Sequence, residues 1–413
     1  MKENKKIAII GAGTAGLATA LFLSRHSYRI DLYEEVEKLQ AVGAGLLLQP
    51  QGLYVLNQLG LLSEIISNGS IIESLQGRNH RNKFVMDFHY EDLNKNLFGI
   101  GIHRGKLFES LYKNVKRLDI HWRLGEKVLK VNQTSDKAEV IIEKSTTDYD
   151  LIVIANGTRS DLTHNLNIKH KFKPYPWGAL WKIFDDENQQ FQRILDQKYI
   201  KAHTMLGMLP TGINPNTTKP CVSFFYSLKK SLYQHWKNMD INQWKNQVLN
   251  IWPELECFIN TIQSHNDLTF ATYADHVMQK WHDGKIVVIG DAAHAMSPQL
   301  GQGANMALTD AYCLYQVLQR HFDISQALQN YSVERKKHLK YYQWASRFLT
   351  PLFQSNSLLG AWFRDLTFPP MKYVPIAKKH ALLTLFGVKP SLFGSRPIID
   401  LDILADSIKK VLD

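Results

Sequence analysis

Hydrophobic positions along the chain fall into blocks of different period. Residues 6–10 form a short β-branched run of the kind that makes a buried parallel strand. Glycines at 11, 13 and 16 follow at once, and residues 17–23 continue as an apolar helix. A second strand over 28–33 ends in Glu34. Much later, residues 285–289 give another buried strand, then Gly290-Asp291, a glycine-rich loop, and a helix that begins near Gly303. Between these blocks, 177–184 and 221–226 alternate as strands, with His203 to Met208 between them. The section from about 325 onward reads as helical. There, 331–347 has basic and aromatic faces, Pro351 follows it, Pro369, Pro370 and Pro375 break the pattern, and 377–386 resumes it.

With 413 residues, 45% hydrophobic and 21% charged, the chain has the composition of a globular protein and room for two or three domains. Collagen-like, coiled-coil and disordered classes are excluded. Three cysteines (Cys221, Cys257, Cys313) without a C-x-x-C spacing argue against a disulfide framework and a zinc site, so no metal is expected. Lys2, Lys5 and Lys6 before an apolar run have the outline of a secretory signal. The glycines and threonines inside that run, and Ser24-Arg25-His26 after it, fit a strand, turn and helix better. No run is apolar for the roughly 20 residues of a membrane span, and a cytoplasmic protein is expected. The 49 Lys and Arg against 38 Asp and Glu give a net charge of +11, spread along the chain with local clusters such as 335–340. That cluster reads first as a solvated helix face, with a peripheral membrane contact as the alternative; no nucleic-acid motif is present.

Gly11-Ala-Gly13-Thr14-Ala15-Gly16, between a strand and a helix, is the setting that gives G-x-G-x-x-G its meaning. The first glycine permits the turn, the second admits a pyrophosphate, and the third packs helix on strand. Free N–H groups and the positive end of the helix dipole then face the phosphates. Glu34, 23 residues after Gly11, stands where an acid accepts ribose hydroxyls, with Glu35 as the alternate. An acid there favours FAD or NAD over NADP in this pocket.

The later stretch adds Asp291 and His294, then Pro298-Gln-Leu-Gly301-Gln-Gly303-Ala304-Asn305 running to Asp310. Asp291 can accept a ribose or ribityl hydroxyl, and the helix start offers N–H groups to an anion. Together the two motifs resemble the FAD-dependent aromatic hydroxylases, the group of para-hydroxybenzoate hydroxylase. Gly43-Ala-Gly45 with 47–51, before a helix over 53–62, is similar to that family's flavin-adjacent loop. His103-Arg104 with Leu107 is similar to its Arg-x-x-Leu helix start, whose arginine contacts the cofactor. At its Asp-Gly motif this chain departs: Asn156-Gly157 follows the 150–154 strand, and Thr163 stands where a basic residue is usual, with Arg159 nearby to supply charge.

The resemblance implies an α/β fold, with a Rossmann-type FAD-binding domain interleaved with a smaller β-sheet substrate domain, plus C-terminal helices. The expected division is 1–75, 100–165 and 270–325 for the FAD-binding domain, 76–99 and 166–269 for the substrate sheet, and 326–413 for the helices. It implies FAD as cofactor, NADH or NADPH as a transient co-substrate, and oxygen transfer from a flavin C4a-hydroperoxide to a small aromatic or polyketide-like compound. Cofactor contacts fall on Gly11, Gly13, Thr14, Ala15, Gly16, Glu34 or Glu35, Gly45, Arg104, Asn156, Asp291, Pro298, Gly301, Gly303, Ala304 and Asn305. The helix opening at Gly303 would stabilise negative charge on the reduced ring, and Pro298 would shield the flavin face. Tyr226 and His203 are the candidates for orienting or activating a phenolic substrate, and His294 reads as structural. A monomer or homodimer is expected. The alternatives are a flavin-dependent dehydrogenase or reductase without oxygen insertion, and a non-catalytic flavin-binding protein.

Overall fold

The Lys6–Ile10 strand pairs in parallel on both sides, Ile10 with Tyr33 on one flank and with Ile154 on the other. It is central in a six-stranded sheet whose order is His282–Asp283, Ile286–Val288, Leu151–Ile154, Lys6–Ile10, Arg29–Glu34, His121–Leu124. All neighbours are parallel except the first pair. The chain leaves the central strand toward Arg29–Glu34 and later returns on its other side. This makes the carboxyl end of Lys6–Ile10 the switch point at which open parallel sheets bind ligands. The computed structural model describes residues 5–41, 43–134 and 136–413, so Lys2 of the basic N-terminal start lies outside it.

A nine-stranded sheet forms the second layer, in the order Thr269–Met278, His170–Asp185, Pro220–Lys229, Thr204–Ile213, Arg193–Ile200, Ser70–Asn79, Gly99–His103, Gly45–Leu48, with Phe84–His89 paired to Ser70–Asn79. A three-stranded sheet over residues 130–149 completes the β-structure. Sheet membership cuts across the expected segments. Strands at 45–48, 70–75, 100–103 and 270–278 belong to the large sheet, because each is short or paired only with other strands of that layer. One face of the large sheet carries Leu180, Leu206, Val222 and Phe224 and buries them against Trp236, Trp244 and Trp252.

Helix boundaries differ from the sequence expectation where proline and glycine act locally. The 53–62 segment is two helices, Pro50–Gln58 and Leu62–Asn68, separated at Gly60, whose φ of +78° suits glycine. Pro351 lies inside the long Ile324–Phe353 helix, within its last turn, and Pro369 and Pro370 lie near the end of Leu358–Met371. Near a C-terminus the missing N–H and the ring clash disturb little that follows. Pro375 opens the next helix, Pro375–Leu385, where a proline N–H would have no partner anyway.

After that helix the chain returns to the cofactor layer. Gln302 Nε2 donates to the Leu385 carbonyl at 2.7 Å, and a Cβ on Gly387 (φ +81°) would lie 2.4 Å from Gln51 and 2.7 Å from Gln302. The terminal Leu401–Leu412 helix then ties back through Asn57 Nδ2 donating to Ser407 Oγ at 3.0 Å.

Candidate flavin site

The Thr14–Leu23 helix starts at Gly13 without a side-chain cap and without an acid in its first turn. Gly303–Arg320 starts in the same way, after Gln302. A helix start leaves its first N–H groups without intrahelical partners. The two starts converge: a Cβ on Gly290 would touch Ala15 Cβ at 3.0 Å and Ala307 Cβ at 3.7 Å. Motifs almost 280 residues apart thus share one space.

The glycines of this space divide by what surrounds them. Gly11 would drive a Cβ to 2.6 Å from the Ala155 carbonyl, and Gly16 to 1.9 Å from the Gly11 carbonyl, so both serve strand–turn–helix packing. Gly13, Gly157 and Gly301 meet nothing within 4 Å, and Gly303 meets only Asp291 Oδ1 at 3.8 Å. At these four the backbone is open to close approach, which is what a pyrophosphate and a flat ring system require of it.

Acids and bases stand around this space. Glu34 accepts the Ala12 N–H at 2.9 Å and the Val36 N–H at 3.2 Å, which fixes its carboxylate against the first turn. Glu35 instead points to the surface, 3.9 Å from Lys127. Asp291 is exposed beside Gly303, and its carboxylate makes no hydrogen bond among the described residues. Arg104 opens the Arg104–Val115 helix, capped by His103 Nδ1 accepting the Gly105 N–H at 3.0 Å. Its stem lies over Gly43, where a Cβ would come within 2.7 Å, and its guanidinium has no hydrogen bond or ion pair among the described residues. Asn156 is exposed at the end of Leu151–Ile154, close enough to Gly11 that a Cβ there would lie 2.7 Å from the Asn156 Cα. Thr163 is buried and donates to the Ser160 carbonyl, so it does not take over the role of a basic residue.

Four expected site residues have other work. The Asn305 side chain is committed to the backbone: Nδ2 donates to the Leu47 and Gly301 carbonyls (3.1 and 3.3 Å), and Oδ1 accepts the Gln49 N–H at 2.9 Å. It therefore shapes the loop, leaving only its main chain and that of Ala304 for a ligand. Gly45 presses on the large sheet, donating its N–H to Ser223 Oγ at 3.2 Å. Tyr226 and His203 are joined through Thr204, which hydrogen-bonds His203 Nδ1 at 2.7 Å and also bonds Tyr226. Tyr226 points to the face opposite Ser223 and Phe225, because side chains alternate along a strand. Tyr226 shares the face of Val222 and Phe224, with its ring 5.7 Å from Trp244, whereas Ser223 and Phe225 face the flavin side.

On that flavin-side face, Trp181 and Phe225 are register partners with ring centroids 5.3 Å apart, and Trp181 Nε1 donates to the Tyr273 hydroxyl at 3.1 Å. Gly207 lies beneath them; a Cβ there would enter the Phe225 ring at 2.2 Å. Pro298 opens a single 3₁₀ turn, braced by Ser297 Oγ with Ser346 Oγ (2.6 Å) and by Gln299 with Gln354 (2.6 Å).

Sequence reading missed the group that holds the second motif in place. Asp310 is fully buried inside its helix; Oδ1 accepts Arg335 Nε at 2.7 Å, and Oδ2 accepts the Gly290 N–H at 2.8 Å and His294 Nε2 at 2.5 Å. Burial alone would raise its pKa, but the His294 and Arg335 charges and the Gly290 N–H outweigh it and hold the carboxyl well below the usual range. His338 accepts from Arg335 at Nδ1 (2.8 Å) and donates from Nε2 to the Gly387 carbonyl (2.9 Å). Burial, reinforced by Arg335, pushes its pKa down to about 3 and keeps it neutral. The 335–340 cluster is thus not simply a solvated face: Arg335 and His338 turn inward while Lys336, Lys337 and Lys340 stay outside. His294 has the structural role expected of it.

Known proteins fit this geometry. A flavin-dependent monooxygenase of Legionella longbeachae is 25% identical over 326 residues, covering 76% of this chain and 80% of its own. Aurachin C monooxygenase/isomerase of Stigmatella aurantiaca is 24% identical over 371 residues, with 88% and 94% covered. The solved structure of Klebsiella pneumoniae HpxO complexed with FAD and uric acid superposes with a TM-score of 0.78 at 18% identity, covering 93% of this chain and 98% of that one. The model of the FAD binding domain family matches residues 4–343. The chain therefore belongs to the FAD-binding-domain family, among the flavoprotein monooxygenases that its two glycine motifs resemble.

Proposed function

We propose that this protein is a FAD-dependent monooxygenase that uses NADH or NADPH and O2 to hydroxylate a small aromatic or polyketide-like compound. The observation that carries the reading is the approach of two uncapped helix starts, joined through Gly290, Ala15 and Ala307, with open backbone at Gly13, Gly157, Gly301 and Gly303. When bound, FAD supplies the two-electron redox and oxygen chemistry that no side chain can.

The chain's own residues bind and position. Main-chain N–H groups at Gly13 to Ala15 would hold the pyrophosphate, and Glu34 and Asp291 would offer carboxylates to sugar and ribityl hydroxyls. At Gly303 to Asn305, N–H groups and the positive end of an 18-residue helix are available to negative charge on a reduced ring. Arg104 supplies a positive charge with no partner among the described residues. Asn156 donates and accepts without charge, and exposed Arg159 beside it offers the cation for an approaching nicotinamide dinucleotide. Trp181, Phe225 and Tyr273 form an apolar wall with one hydroxyl, suited to an aromatic substrate, and the braced Pro298 turn would shield the flavin from water. The uric acid in the superposed structure supports a ring-shaped substrate of this size.

The test is oxygen and NAD(P)H consumption by the purified yellow protein across a panel of phenols and quinolones. Matched, substrate-stimulated uptake of both is expected. Stimulated NAD(P)H oxidation without O2 uptake would point to a reductase. Retained FAD that neither NADH nor NADPH reduces would point to a non-catalytic flavoprotein.

A further inference from the structure

A helix on a soluble domain normally turns its apolar stripe inward and its polar stripe to water. Leu358–Met371 does the reverse. Its inner face buries Arg364 completely, with the guanidinium 5.1 Å over the Tyr199 ring and donating to the Leu352 carbonyl at 3.0 Å. Its outer face presents Leu359 (79% exposed), Trp362 (64%), Phe363 and Leu366, which follow one another at helical spacing. The chain continues outward through Tyr373 (77%) and Ile376 (74%). On the neighbouring long helix, Lys337, Lys340, Trp344 and Phe348 share one exposed face.

Charge follows the same surface. Residues 335–398 hold eleven Lys and Arg and a single acid, Asp365, so this stretch carries +10 of the chain's net +11. Asp365 is itself paired with Arg364 at 2.7 Å. Lys336, Lys337, Lys340 and Lys379 make no ion pair among the described residues. The basic excess is therefore concentrated where the apolar side chains are exposed.

We infer that this face docks on an anionic lipid surface. Apolar side chains enter the headgroup boundary, Trp and Tyr suit that depth, and lysines meet anionic headgroups, which is the composition of an interfacial anchor. A second copy of the chain is disfavoured as occupant, because a two-fold contact would set the unpaired lysines of one face, Lys336, Lys337, Lys340 and Lys379, against their own copies. Among the described residues no helix is long and apolar enough to cross a membrane, so the contact is peripheral.

Flotation of the full-length, FAD-loaded protein tests this with vesicles of phosphatidylcholine plus phosphatidylglycerol and of phosphatidylcholine alone. Binding to the mixed vesicles is expected, and it should fall about tenfold or more in high salt or on pure phosphatidylcholine. The outward-facing double variant L359S/W362S is expected to lose about tenfold or more in partitioning, with flavin absorbance and melting temperature unchanged. Lack of flotation on mixed vesicles would overturn the inference. So would wild-type flotation by the double variant, or a vesicle-free dimer, seen by ultracentrifugation, that the same substitutions dissociate.

Discussion

Replacing Asp310 with alanine isolates the cost of removing the anchor beneath the second motif. The substitution leaves Arg335 buried without its carboxylate, and it leaves the Gly290 N–H and His294 Nε2 without an acceptor. An uncompensated buried charge costs about 3–5 kcal/mol. An orphaned buried N–H adds about 1–3 kcal/mol. The total, about 4–8 kcal/mol, is comparable with the whole stability of a typical domain, about 5–15 kcal/mol. Urea unfolding of the FAD-free protein is therefore expected to show a large fall in midpoint, and FAD binding should weaken because Gly290 is released. The double variant Asp310→Ala with Arg335→Leu removes the stranded cation. It is expected to recover about 2 kcal/mol relative to the single variant, a coupling that two independent sites would not show. A single variant that loses less than about 2 kcal/mol, or strictly additive effects in the cycle, would refute the reasoning.

Further outcomes follow from the same geometry. Gly13→Val is expected to abolish the yellow colour while the apoprotein melts normally, since its side chain enters open space; Gly16→Val should fail to fold, because even its Cβ would lie 1.9 Å from the Gly11 carbonyl. Arg104→Met should weaken FAD binding by about tenfold without changing apoprotein stability, read by fluorescence titration, because the guanidinium stabilises nothing within the protein. His338, at about 3 when folded, lies below its unfolded value of about 6.5. The unfolded chain takes up the proton first as pH falls, so stability should decline between about pH 6.5 and 3 by up to about 1.4 kcal/mol per unit. His338→Gln, which keeps one acceptor and one donor, should flatten that slope by one proton in urea midpoints measured from pH 7 to 4.

The two glycine turns were legible in the sequence because they are features of the backbone. A glycine at a fixed offset from a strand reports its own conformation, and Gly11, Gly13, Gly16, Gly301 and Gly303 could be placed from spacing alone. Glu34 and Glu35 could not be separated by counting; register decided, since only Glu34 is within reach of the Ala12 N–H. Tyr226 was misplaced by one residue of alternation, the difference between the flavin side and the Trp244 side of a two-faced sheet. Phe225, its neighbour, is the position that faces Trp181 across the sheet. Asp310 and Arg335 form a bond across 25 residues, which no local period reveals. An acid in an otherwise apolar helix, followed by an arginine in a run read as exposed, was the available signal.

The return of the chain at Gly387 bears on engineering. From about 354 to 384 the polypeptide leaves the cofactor layer and comes back to it, clamped at its departure by Ser297 with Ser346 and at its arrival by His338, Gln51 and Gln302 around Gly387. The excursion is also anchored along its length, by Arg364 over the Tyr199 ring and by Asn79 Nδ2 donating to Asp365 at 3.0 Å. Its outward positions, such as Leu359 and Trp362, are therefore the ones open to exchange while those anchors and both end sockets are kept. Cutting the chain at any point before 388 would instead pull one socket out of the flavin layer.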